Sequence, residues 1–523
     1  MDDFDLYYQD SDDECEKEKI SYTNKDTLFG WLSIVVGFLF VRAVHISENT
    51  LGSAIVLILL FLFGLIFAKT NGFPISRSSY AFMAVSMIFS VGFITSANKL
   101  THFLLLVLLV CSFLYWVYSS LGLGEGIFGR HCFDHMIHAI FRLPVGYIMS
   151  IFPALLIKDK NKAGGKILRT VLWALAGLAC AVIPTAIIIL LLSYDKGFTN
   201  LLERMITVSP DDIIDLFADL LFGFALAILI FASLFGAKHR HEKNCGEPQK
   251  IRPIKSNFLP RALLCAAVTP ILAVYILFFI SQWNYYVSAF TGVLPGEITY
   301  AEYARSGFFQ LCAVSAINAL MLLLFNVLIK KKERERDILR DTYSTVISVF
   351  TLVLIATAIS KMLLYIRSYG LTPKRVYASW FMLMLAVIFI VVLLGQLIRR
   401  LPKTPTIAAV VIVSLAIITL PNVEGMIASY NVNAYKTGTL KSVDAEAIYD
   451  LDVSGVPAMI ELREELSSRG ELSHDEQMLL ERVDAYLERA RSELDAQSKN
   501  AFTFNIPSAK ARALLDKYYD SKG

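Results

Sequence analysis

The stretch LGSAIVLILLFLFGLIFA, residues 51–68, holds no charged side chain and nothing that would end a helix. An α-helix rises about 1.5 Å per residue, so about twenty apolar residues cross a hydrocarbon core of ~30 Å. Such blocks recur along the chain near 28–46, 51–68, 78–97, 102–119, 170–193, 213–236, 261–282, 306–329, 341–366, 377–398 and 405–421. A β-barrel would instead show ~10-residue segments of alternating polarity, and none is visible. Of 523 residues, 55% are hydrophobic and 18% are charged, against roughly a quarter charged in soluble domains. The expected fold class is therefore all-α: a polytopic α-helical membrane bundle of about eleven spans with a small C-terminal helical soluble domain.

Basic residues set the expected orientation, because positively charged loops stay on the cytoplasmic side. One set of loops carries Lys158, Lys160, Lys162 and Lys166, then Lys238, Arg240, Lys243 and Lys250, then Lys330, Lys331, Lys332, Arg334 and Arg336, and finally Arg399 and Arg400. The alternate loops are poor in them. This predicts a cytoplasmic N-terminus and an extracytoplasmic C-terminus. Residues 1–27 are strongly acidic, unlike a secretory leader with its basic start and apolar centre, and read as a disordered cytoplasmic tail. Residues 28–421 form the expected transmembrane domain and 422–523 the extracytoplasmic helical domain. Of the seven cysteines, Cys111, Cys180, Cys265 and Cys312 fall in spans and Cys15, Cys132 and Cys245 on the cytoplasmic side, which implies no disulfide framework.

Beyond Pro421 the pattern changes to that of a soluble helical domain. Ser473 to Glu476 reads SHDE, a capping box. Leu479, Val483, Tyr486, Leu487, Ala490 and Leu494 then recur at helical spacing. An earlier helix is predicted around 456–468 and a last one near 508–519.

Few motifs suggest chemistry. GEGIFG at 124–129 matches GxGxxG but follows a membrane span rather than a β-strand. In RHCFDHMIHAIFR, residues 130–142, His131, Asp134, His135, His138 and Arg142 share one helical face. That face could bind a metal; an interfacial amphipathic helix over 127–142, polar side to the headgroups, accounts for it better. No metal and no cofactor is expected. No HExxH, GxSxG or CxxC occurs, which argues against familiar hydrolases and redox enzymes.

The sharpest polar signal lies at the expected outer ends of the spans. Asp215 and Asp219 are one turn apart in the sixth. Tyr300, Glu302, Tyr303 and Arg305 open the eighth. Lys361 and Arg367 close the ninth. Ionisable groups inside a bilayer pair with one another or line wet cavities. These eight residues are the candidate ligand-binding cluster, with Asp219, Arg305 and Lys361 expected to meet. Asn318 and Asn326 are expected to join helices by hydrogen bonds. No catalytic residue is assigned.

Several long phrases resemble a known family. They are YYVSAFTGVLPGEITYAEYARSGFFQLCAVSAIN ending at Asn318, SKMLLYIRSYGLTPKRVYASWFM at 360–382, NVNAYKTGTL at 431–440, DLDVSGVPAMIEL at 450–462 and FNIPSAKARALL at 504–515. Together they resemble the bacterial membrane family called domain of unknown function 4173 and its sister 4153. The resemblance implies a bacterial cell-membrane protein and no particular reaction. The functional expectation is a non-enzymatic sensor or transport-type protein with an outward-facing polar pocket. Its partners would be the lipid bilayer and an extracytoplasmic protein bound through 422–523, with no nucleic acid. The alternative is a membrane-embedded transferase acting on lipid or cell-wall precursors, with Glu302 or Asp219 as base.

Overall fold

The computed structural model describes residues 21–45, 50–123, 132–155, 210–243, 261–281, 300–328, 338–398, 401–440 and, apart from short gaps, 443–520. Among the described residues every regular element is a helix. The long ones are α1 (Asn24–His45), α2 (Thr50–Thr70), α3 (Arg77–Phe89), α4 (Lys99–Ser120), α5 (Pro210–Lys243), α6 (Arg261–Ser281), α7 (Tyr300–Leu328), α8 (Ile338–Tyr369), α9 (Pro373–Leu397), α10 (Lys403–Thr419), α11 (Val423–Lys436), α12 (Val456–Ser468), α13 (His474–Ala496) and α14 (Ile506–Asp520).

Among the described residues seven helices are long and apolar enough to cross a membrane, and up to nine if each of two bent pairs counts as one span. The expected span at 170–193 and most of the acidic tail lie outside the described residues. Every other predicted span coincides with a helix. The helices begin where their sequences supply a cap. Ser76 accepts from the Ser79 amide. Asn98 accepts from those of Leu100 and Thr101, and Thr372 from that of Arg375, with Pro373 at the first helical position. Each cap satisfies amides that the first turn leaves without a partner.

The chain divides into two compact units. The first contains Met1–Val41 and Leu143–Gly236. Here α1 and α5 cross backbone to backbone at Gly37 and Gly223, where a Cβ added to Gly223 would lie 2.8 Å from the Phe38 Cα. Without a hydrophobic drive between helices in lipid, such small residues let van der Waals contact do the packing.

The second unit contains Arg42–Arg142 and Ala237–Gly523. Its spans α7, α8 and α9 share a core of Phe308, Leu311, Ile347, Leu354, Met382 and Phe389. Asn318 binds them further: it accepts from the Tyr275 hydroxyl at 2.7 Å and donates to Thr351 Oγ1 at 2.9 Å. That is the helix-joining role read from the sequence. The side chain of Asn326 lies outside the described set.

After α10 the chain bends by 62° through Pro421, and α11 packs with α12–α14. These four helices build a separate core around Ile427, Val456, Met459, Leu462, Leu466, Val483, Leu487 and Leu515. The predicted capping box is present at Ser473, and all six residues read as the buried stripe of α13 are buried.

One helix divides its faces differently from the expectation. In the 132–142 segment, His135 and His138 are buried, while Ile137 and Phe141 are exposed. Of the polar face, His135 packs against protein, its ring 5.8 Å from that of Tyr118, while Asp134 is half-buried and Arg142 exposed; on the apolar face Phe133, Met136 and Ile140 are half-buried. Spacing alone defines two faces of a helix but not which is turned inward. Its second half is a π-turn over His138–Arg142. Among the described residues no three His, Cys, Asp or Glu side chains are placed to hold a metal ion.

Candidate functional site

The place where α11 meets the spans is the most unusual polar region among the described residues. α8 ends and α9 begins in a tight turn containing Gly370 at φ +76°, a left-handed conformation natural to glycine. Arg375, 5% exposed, folds back under this turn. Its guanidinium donates to the carbonyls of Tyr369 at 3.1 Å and Gly370 at 2.7 Å and lies 4.1 Å above the Tyr365 ring.

Asn431, from the middle of α11, grips the same turn. Its Oδ1 accepts from the Leu371 amide at 2.7 Å, and its Nδ2 donates to the Leu371 carbonyl at 2.8 Å. An amide side chain that closes a two-bond ring with a backbone peptide replaces a β-ladder pairing and fixes both distance and rotation. Two further bonds tie the C-terminal helices to the first spans of this unit. Thr95 Oγ1 donates to the Leu420 carbonyl at 2.6 Å, and Thr50 Oγ1 to that of Phe504 at 2.6 Å. Lys374 pairs with Asp450 at 3.0 Å.

Seven residues before Asn431, and so on the same face of α11, sits Glu424. It is 3% exposed. It lies in the first turn, where a carboxylate ordinarily favours the helix dipole, but Asn422 already caps this helix through the Gly425 amide at 3.0 Å. Among the described residues neither Glu424 oxygen has a hydrogen-bond partner, and the same holds for Oδ2 of Asp452 and for the buried Ser454 hydroxyl. Asp452 Oδ1 accepts from the Ser454 amide at 2.7 Å.

The two nearby tyrosine hydroxyls are engaged elsewhere. That of Tyr377 is 2.7 Å from Thr101 Oγ1, and that of Tyr486 donates to the Asp452 carbonyl. Burial, then the proximity of the Asp452 carboxyl, then that of Asp450, push the Glu424 carboxyl up to about 11. As two carboxylates, Glu424 and Asp452 offer each other no donor; a proton on one turns repulsion into a hydrogen bond.

Of the residues singled out by sequence, the structure describes the side chains of four. Asp219 is buried in the first unit and Lys361 is buried in the second. Asp215 and Arg367 are exposed. Tyr300, Glu302, Tyr303 and Arg305 form the first turns of α7, and their side chains lie outside the described set.

Sequence reasoning passed over Glu424, Asp452, Asn431 and Arg375. Glu424 looks like an ordinary first-turn acid. Asn431 lies sixty residues from its partner. One signal was present: Arg375, Asn431 and Asp452 all fall within the phrases that carry the family resemblance, and those phrases converge on this junction.

No curated protein and no solved structure matches the chain. A family model does, over residues 78–462, which runs from α3 into α12 and includes Arg375, Glu424, Asn431 and Asp452. It is the sister family, 4153, of the two that the sequence resembles; the first-named, 4173, is not shown by this match. The chain is thus a multi-pass membrane protein that belongs to the family described as domain of unknown function DUF4153.

Proposed function

We propose that this protein is a non-enzymatic sensor or transport-type membrane protein. In this reading the α11–α14 helices ride on the spans, and their docking sets the state of a polar pocket in the bundle that opens to the outer side. The observation that carries the reading is the Asn431 grip on the α8–α9 turn. A helix held by two bonds to the link between two spans cannot shift without moving that link. Rigid elements joined in this way transmit a displacement at one end to the other. The charge pattern of the loops supports an extracytoplasmic position for α11–α14.

Two experiments test this. Alkaline phosphatase fused after Lys436 is active if these helices lie outside; activity only from a cytoplasmic reporter at that site reverses the orientation. Purified protein in nanodiscs is then screened for thermal shifts with a panel of inorganic ions, amino acids, sugars and phospholipids. A compound that shifts wild type but not Asn431→Leu supports coupling through the junction. Identical responses of both proteins across the panel would sink it.

A further inference from the structure

The Asn431 end of the junction is fully paired, and the Glu424 end is not. A carboxylate excluded from water and given no donor is among the costliest groups a protein can bury. It persists in such surroundings only when its charge is neutralised. Two candidates fit a pair of facing carboxyls: a metal ion or a proton. A metal asks for several oxygen or nitrogen ligands, and among the described residues no set of three acidic, histidine or cysteine side chains supplies them. A proton needs only the two carboxyls.

The charged and titratable groups facing the pair come from each element packed on it. Asp450 and Asp452 precede α12; Tyr377 comes from α9 and Tyr486 from α13. His102 of α4 faces Asp452, and its Nε2 is 2.9 Å from the Ser96 carbonyl. Lys374 is engaged with Asp450. Arg489 donates to the Leu451 carbonyl at 3.0 Å. The acids thus gather at one spot while these two cations bond beside it.

We propose that Glu424 and Asp452 form a proton-binding site that holds one shared proton while α11 is docked, and that loss of the proton loosens α11 from the spans. The proton passes to bulk water, leaving two carboxylates in a space built for one charge. Their repulsion falls on the first turn of α11, two turns from the Asn431 grip. The site assigns a signal, the proton, to the junction; its effect on docking rests on the coupling reading above, whereas proton binding itself does not.

The test uses the full chain in nanodiscs. Infrared difference spectra should show a protonated-carboxyl C=O band in wild type at neutral pH that is missing in Glu424→Gln. Amide exchange of residues 423–436, corrected for its intrinsic pH dependence, should quicken in wild type between about pH 6 and about pH 9 and stay level in Glu424→Gln. A wild type without the band at neutral pH, or a variant that keeps it, overturns the proton site. Should Glu424→Gln fail to fold, Asp452→Asn gives the readout. It supplies Glu424 with an amide donor in place of a repelling charge, so the band must vanish at lower pH than in wild type, and an unchanged titration overturns the site. A band that titrates as expected without any change in exchange upholds the proton site and removes the coupling.

Discussion

Asn431 and Glu424 stand on one face of one helix and are almost equally buried, yet one is hydrogen-bonded through both its polar atoms and the other has no partner among the described residues. The Asn431 end obeys the rule that buried polar groups are paired, so its geometry is fixed by directional bonds. The Glu424 end breaks that rule, so its stability depends on how many protons it holds. A rigid grip two turns from a titratable acid lets a change in charge act against a fixed point.

The largest expected effect breaks the paired end. Asn431→Leu keeps helical propensity and bulk but strands the Leu371 amide and carbonyl. At about 1–3 kcal/mol for each orphaned group, stability should fall by about 2–5 kcal/mol, read from detergent-resolved denaturation. A loss below ~0.5 kcal/mol would mean that water replaces the asparagine and the grip does not hold the turn.

The next effect has the opposite sign. The folded-state pKa of Glu424 is raised above its unfolded value, so the folded protein binds the extra proton. The stability this brings is present at low pH and is lost as pH climbs from the ordinary carboxylate range toward about 11. Wild type should lose up to ~1.4 kcal/mol per pH unit across that window, and Glu424→Gln should not. The variant should therefore melt higher than wild type at mildly alkaline pH and near it in acid. Parallel melting curves would make the two ends of α11 alike.

Gly370→Ala sharpens the comparison from the other side of the grip. The added Cβ would lie 2.6 Å from Asn431 Oδ1 in a backbone at φ +76°, and the strain should cost about 1–3 kcal/mol. In an Asn431→Leu background the penalty should change, since one partner of the clash is gone; a strictly additive pair would show that glycine matters for its backbone alone. The smallest effect is a control away from the junction. Ser473→Ala removes the α13 capping box and should cost about 1 kcal/mol, with no change in the pH dependence of α11 exchange.

Much of the architecture was legible in the residues. A long apolar run has one cheap solution in lipid, because every backbone group must be satisfied inside the segment. The spans therefore fall where hydropathy puts them. The buried stripe of α13 and its cap were equally local: spacing at 3.6 residues per turn, and a serine three residues before a glutamate. The candidate site was less legible. The sequence drew attention to charges near span ends, since depth in a membrane can be read from chain position, and it placed Asp219 and Lys361 among the buried residues. It could not weigh Glu424, whose local pattern is that of any first-turn acid.

The residues by themselves determined that this is an all-helical membrane chain, where most of its helices start and stop, and which face of α13 is buried. Those features depend on a few neighbours along the chain. Tertiary structure alone decided that the histidines at 135 and 138 turn inward, that Asn431 closes on a peptide sixty residues away, and that Glu424 comes near Asp452 with no hydrogen-bond partner among the described residues. Pairings of that kind depend on where separate helices pack. Helix packing is fixed by the summed contacts of whole surfaces, which no short window of sequence contains.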